Sequence, residues 1–246
     1  MVNVPEELKE YFYKFYEVNS QYDIPKNINV YLLEKKEFKK AIKLKETEVF
    51  RIKKPIIEES LNGLIIVDTK NKYRYTYHIY ILKENTKVTP YTISVLFHEL
   101  AHAHTLPIIE ISDLKEYDEK GHFSYIGYEI WREFIANYIG DDTFLRACGN
   151  INYVFDKNKL IKLCTKILKE VKEDKNYINL DEILAFMILS DFNILEDISK
   201  IICDTDYKVF MMLLETCKNY LNIKEYQNIT KRQLNEIGQL INMLIA

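Results

Sequence analysis

Apolar and polar positions along the chain alternate with two distinct periods, and each period predicts an element. Leu8, Tyr11, Phe12, Phe15 and Tyr16 recur at helical spacing and predict a helix over Pro5–Val18. Ile28–Leu33 reads as a strand and Glu37–Lys45 as a short helix. Leu64–Asp68 is a short apolar run, and Tyr73–Leu82 is rich in aromatic and β-branched residues. These two predict a strand pair joined by a hairpin loop at Asp68–Lys72. In the second strand Tyr73, Tyr75, Tyr77, Ile79 and Ile81 share one face; Arg74, Thr76, His78, Tyr80 and Leu82 share the other.

A further helix is bounded by Thr89-Pro90, a capping residue followed by the residue best suited to the first helical position, and by Leu106-Pro107. Its stripe is Ile93, Leu96, Phe97, Leu100 and Ala101. Ser124–Gly140 predicts another helix, with Ser124 as its cap and Gly140 as the C′ residue. Beyond Asp141 every apolar pattern is helical. Asp156 caps the run holding Leu160, Cys164, Ile167 and Leu168; Asp181 opens Ile183–Leu189; Tyr207–Leu221 and Thr230–Leu244 follow. The expected fold class is α+β: a small sheet-and-helix unit over 1–140, then an all-helical region over 141–246. That last region reads as structural packing, with partner recognition as its alternative.

The polar positions of the Thr89–Leu106 helix carry chemistry. His98-Glu99-Leu100-Ala101-His102 is an H-E-x-x-H motif. Residues four apart on a helix share a face, so both imidazoles can reach one metal ion. Glu99 lies on the neighbouring edge of that face, within reach of a metal-activated water. The pattern reads as a zinc peptidase with Glu99 as general base. Catalytic zinc takes three protein ligands, and the next helix offers Glu129, Glu133 and Asn137, spaced four apart. Glu133 is the expected third ligand, and Asn137, one turn on, the expected hydrogen-bond partner of a ligating histidine.

His98–His102 followed by Glu133-Phe134-Ile135-Ala136-Asn137-Tyr138 resembles the gluzincin metallopeptidases, and within them the ImmA/IrrE group, over roughly residues 60–140. The gap from His102 to Glu133 is 133 − 102 = 31 residues, room for a loop between two helices. The resemblance implies a zincin-like core, Zn2+ held by His98, His102 and Glu133, Glu99 as base, and a peptide substrate laid along a sheet edge as an added strand. It also implies a link to the regulation of phage and mobile elements. The chain departs from the group in its long helical C-terminal region and in lacking an evident helix-turn-helix module. An alternative of another class is a non-catalytic regulatory or binding protein that keeps the zincin scaffold; a zinc hydrolase of a non-peptide amide is a third.

His122, in the turn-like Asp118–His122 stretch, is a candidate for stabilising the oxyanion, with Tyr125, Tyr128 and Tyr138 as rival donors. His104 stands about 200° around the helix from His102 and is expected to pack or face solvent. His78 is expected to be structural.

Composition narrows the setting. Net charge is −3, from 34 basic and 37 acidic residues, so no general basic field for nucleic acid exists and direct nucleic-acid binding is not expected. No apolar run is long enough to span a membrane, and the N-terminus lacks the apolar core of a signal peptide. Cys148, Cys164, Cys203 and Cys217 make no C-x-x-C pair. The expectation is a cytoplasmic protein with free thiols acting on a protein or peptide.

Overall fold

The computed structural model describes residues 1–46, 62–68, 76–83, 88–105, 122–148, 157–174, 177, 179–190, 195–200, 204–222 and 226–246. The class is α+β, a small mixed sheet with many helices. The expected hairpin loop at 69–72, the strand start at 73–75, the Leu106-Pro107 helix end, the 118–121 turn, Asp156 and Cys203 lie outside the described residues.

The chain forms two compact units, Met1–His104 with Ile139–Gly149, and Thr105–Tyr138 with Asn150–Ala246. The first holds β1 (Val2–Asn3), α1 (Glu6–Val18), β2 (Ile28–Leu33), α2 (Lys35–Glu46), β3 (Gly63–Asp68) and β4 (Thr76–Leu82). It also holds nearly all of α3 (Pro90–Thr105) and the C-terminal part of α4 (Ser124–Cys148). Strand order is β1-β2-β4-β3, with β3–β4 antiparallel and β2–β4 parallel. Pairing Val30 with Ile79 and Leu32 with Ile81 puts their side chains on one face. Ile28, Val30, Ile79 and Ile81 on that face are buried. The alternation expected for the second strand therefore holds where it is described.

The helix α1 buries Leu8, Phe12, Phe15 and Tyr16, an aromatic stripe that is core. Burial of each such side chain is worth about 1.5–3 kcal/mol. Thr89 caps α3: its hydroxyl accepts from the Thr92 backbone N–H at 3.2 Å. All five residues of the expected stripe, Ile93, Leu96, Phe97, Leu100 and Ala101, are buried. Phe97 packs against Phe15 and Phe144, with ring centroids 6.0 Å and 6.4 Å away.

The second unit holds the N-terminal part of α4, then α5 (Lys157–Glu173), α6 (Leu180–Leu189), α7 (Leu195–Ser199), α8 (Asp204–Tyr220) and α9 (Lys231–Ile245). Thr230 opens α9 with a capping box to Gln233. The start of α4 is built on α9. Asn235 Oδ1 accepts the Phe123 backbone N–H at 2.9 Å, and Ser124 Oγ donates to the Lys231 carbonyl at 3.4 Å. A Cβ on Gly127 would collide with the Leu234 carbonyl, and one on Gly238 with the Phe123 carbonyl. Two glycines thus let the backbones approach from both sides. Ser124, expected as a helix cap, is instead a fully buried contact residue inside the helix. Trp131 and Phe134 are fully buried, their ring centroids 5.6 Å apart.

The expected helix end at Gly140 is corrected. The helix α4 runs unbroken to Cys148, and its glycine serves a close approach described below. Cys164 and Cys217 are fully buried free thiols that behave as small apolar residues. Burial pushes the Cys164 thiol up to about 12.

Candidate metal centre

The motif lies wholly within α3, so His98 and His102 are one turn apart on one face, their ring centroids 4.6 Å apart and 87° inclined. His102 and Glu99 are buried, 5% and 6% exposed, and His98 is half-buried. Ionisable side chains are expensive to bury without a task.

Glu99 is accommodated by β3. A Cβ on Gly63 would come 2.5 Å from Glu99 Oε1 and 2.6 Å from Val95 Cγ1. The first residue of β3 is therefore a floor for the carboxylate. Among the described strands β3 pairs only with β4, so its other side is a sheet edge.

Gly140 brings α4 against α3 at the motif itself. A Cβ there would lie 3.0 Å from His98 N and 3.1 Å from His98 Cα. Glu133 is 140 − 133 = 7 residues earlier on the same unbroken helix. Seven residues are about two turns, so Glu133 shares the face of Gly140, roughly 10 Å along the axis. One nitrogen of His98, one of His102 and one carboxylate oxygen of Glu133 all lie within 4.8 Å of one another.

This donor set suits a metal ion. Zinc ligands at about 2.0–2.2 Å in tetrahedral array stand roughly 3.4 Å apart, a separation that falls inside the 4.8 Å within which these atoms lie. Two imidazoles and one carboxylate are borderline-soft and hard donors of the kind zinc takes in catalytic sites. Among the described residues no other such group occurs.

Around Glu133 the structure adds partners. Arg132 Nη2 lies 3.1 Å from Glu133 Oε1. Glu129, one turn back, accepts the Tyr177 hydroxyl at 2.9 Å and is outside the metal group. Asn137 Nδ2 donates to Asp181 Oδ2 at 2.7 Å, so the expected bond to a histidine is replaced by one to a carboxylate in the first turn of α6. The physical reason is that an amide nitrogen close to a carboxylate gains a charge-assisted bond. Asp181 follows Asn179, whose φ of 77° is a left-handed conformation that asparagine tolerates.

The other histidines separate. His122 precedes Ser124 and stands 133 − 122 = 11 residues before Glu133, with α4 alone rising about 14 Å between Ser124 and Glu133. It is outside the metal group. His104 packs as expected: its ring stacks on Tyr22 at 4.6 Å and its Nε2 is 3.1 Å from the Tyr16 hydroxyl. Burial pushes its pKa down to about 4. His78 meets the Tyr31 hydroxyl at 3.2 Å through Nδ1, a structural role on the sheet.

Gly63, Arg132 and Asp181 were not among the expected site residues. The one signal for Gly63 was a glycine opening a strand, which marks close approach of another group. Arg132 adjoins the expected ligand in sequence, and Asp181 had only the look of a helix start. Compared with protein-family models, with curated proteins and with solved structures, the chain matches none of them. Among the described residues no helix is long and apolar enough to cross a membrane.

Proposed function

We propose that this protein is a zinc-dependent peptidase of gluzincin type, similar to the ImmA/IrrE group, with His98, His102 and Glu133 as ligands and Glu99 as general base. The observation that carries the reading is the convergence of those three donors, within 4.8 Å, beside the buried carboxylate of Glu99. A purely structural zinc site fills four positions with protein ligands and has no need of such a carboxylate. That favours an enzyme over a retained scaffold.

In this mechanism bound zinc supplies Lewis acidity for the scissile carbonyl and lowers the pKa of water. Glu99 does the proton work. Its carboxylate takes a proton from the attacking water and delivers it to the departing amine nitrogen as the C–N bond breaks. Gly63 leaves room for that carboxylate, because any side chain there would collide with it. The side of β3 that no described strand pairs begins at the same residue, and a peptide added along it would run past Glu99. Protein or peptide substrates follow from this reading, as does a cytoplasmic setting, which the buried free thiols of Cys164 and Cys217 favour.

The test has two arms. Purified protein is expected to carry about one zinc per chain, and His98→Ala with His102→Ala to carry none. Wild type and Glu99→Gln, expressed in the native cell, are then compared for protein fragments. Fragments confined to wild type support the peptidase. Identical proteomes and phenotypes, with loss of function only in the zinc-free variant, would replace it with a metal-dependent binding scaffold.

A further inference from the structure

The ion pair of Arg132 with Glu133 departs from helix geometry. Neighbours on a helix are 100° apart and do not face each other. The other described pairs within single helices, Lys9–Glu6, Lys14–Glu10, Arg146–Asp142, Lys166–Glu170 and Lys169–Glu173, all join residues three or four apart. Arg132 and Glu133 are adjacent, yet Arg132 Nη2 lies 3.1 Å from Glu133 Oε1. Its guanidinium carbon lies 5.9 Å from the centre of the Tyr128 ring. Its Nε is buried without a hydrogen-bond partner among the described residues. A buried donor left unsatisfied is a cost, so the contacts of the remaining guanidinium nitrogens must offset it. What the guanidinium gains is the carboxylate that the metal group uses.

We propose that Arg132 is the positioning residue for Glu133: it holds one carboxylate oxygen, so that Glu133 serves a metal through the other alone. The inference rests on the metal reading above and extends it. A carboxylate free at both oxygens can bind a metal through both, and that would take up a position that hydrolysis needs open for water. A fork-shaped cation on one oxygen prevents this and fixes the rotamer of the other. Tyr128 also touches the guanidinium, through its ring and a side-chain hydrogen bond, and Glu129 is engaged by Tyr177, so of the two nearby carboxylates Glu133 is the one Arg132 pairs with directly.

The experiment uses the full chain loaded with cobalt(II), whose visible absorption is strong when four-coordinate and weak at higher coordination number. Metal affinity is measured in parallel by competition with a chelator. Arg132→Met is expected to lose about 10–100-fold in affinity, the usual effect of removing a partner of a metal ligand, and to show the weaker spectrum. Arg132→Gln carries the same test should Arg132→Met not fold, and Arg132→Lys is expected to recover part of both readouts. Variants that are merely less stable to heat, with wild-type affinity and spectrum, would overturn the inference while leaving the metal site standing. A wild type that takes up no metal, or a His98→Ala variant that keeps it, overturns the proposed function itself and this inference with it; neither result involves an Arg132 variant, so the two failures are told apart.

Discussion

Gly63→Ala tests how β3 serves the candidate base. The new Cβ would lie 2.5 Å from Glu99 Oε1, 2.6 Å from Val95 Cγ1 and 3.0 Å from Glu99 Cγ. Comfortable heavy-atom contacts begin near 3.5 Å, so the overlap is about 1 Å. Val95 is β-branched and stiff at χ1, whereas the Glu99 carboxylate is the far end of a longer chain. Glu99 is therefore the group that yields, by roughly 1 Å. The strain left over is expected to cost about 1–3 kcal/mol, as other overpacking substitutions do. Urea unfolding of wild type, Gly63→Ala, Glu99→Ala and the double variant measures it. Because Glu99→Ala removes two of the three colliding atoms, the double variant should be more stable than the two single losses add up to, by about 1 kcal/mol. On the functional side, a 1 Å displacement of a catalytic group costs about 10²-fold in rate, with metal content unchanged. Losses that add to within about 0.5 kcal/mol would refute the contact and the floor role of β3.

Glu133→Gln is expected to weaken metal binding strongly, whereas Glu129→Gln, which still offers an acceptor to Tyr177, should leave it near wild type; chelator competition ranks the two, and the reverse order moves the site by one turn. Gly127→Ala would stabilise an isolated helix by about 1 kcal/mol, so a loss of stability on thermal unfolding identifies the close approach of α4 to the Leu234 carbonyl by its sign alone. Burial raises the pKa of Glu182, so its folded value lies above its unfolded one. The penalty for burying its charge is therefore present above the folded pKa and vanishes as pH falls below the unfolded value. Glu182→Gln should stabilise the protein near neutral pH, with the gain gone by about pH 4; a gain that persists unchanged at low pH contradicts the assignment.

What the chain states locally, it states clearly. The i,i+4 histidines, the Thr89 and Thr230 caps and the buried stripes of α1, α3 and α9 each depend on residues within a turn or two, and periodicity carries that information. The α+β class and the Glu133 position follow from the same kind of reading. What needed the tertiary structure was every contact whose partner is distant in sequence. A glycine looks alike in sequence whether it ends a helix or admits a neighbour: Gly140 reads as a terminus, and only the backbone of His98 lying against it explains a glycine inside the unbroken α4. Gly63 is a strand's first residue until Glu99 is seen above it. Asn137 stands one turn from a ligand, and the carboxylate that takes its amide comes from 181 − 137 = 44 residues further on. The parallel pairing of β2 with β4 and the two-residue β1 are equally silent in the pattern, since the period of two says which face is buried but not which strand lies alongside. Local patterning decides which residues share a face; packing decides what that face meets, and the candidate chemistry depends on both.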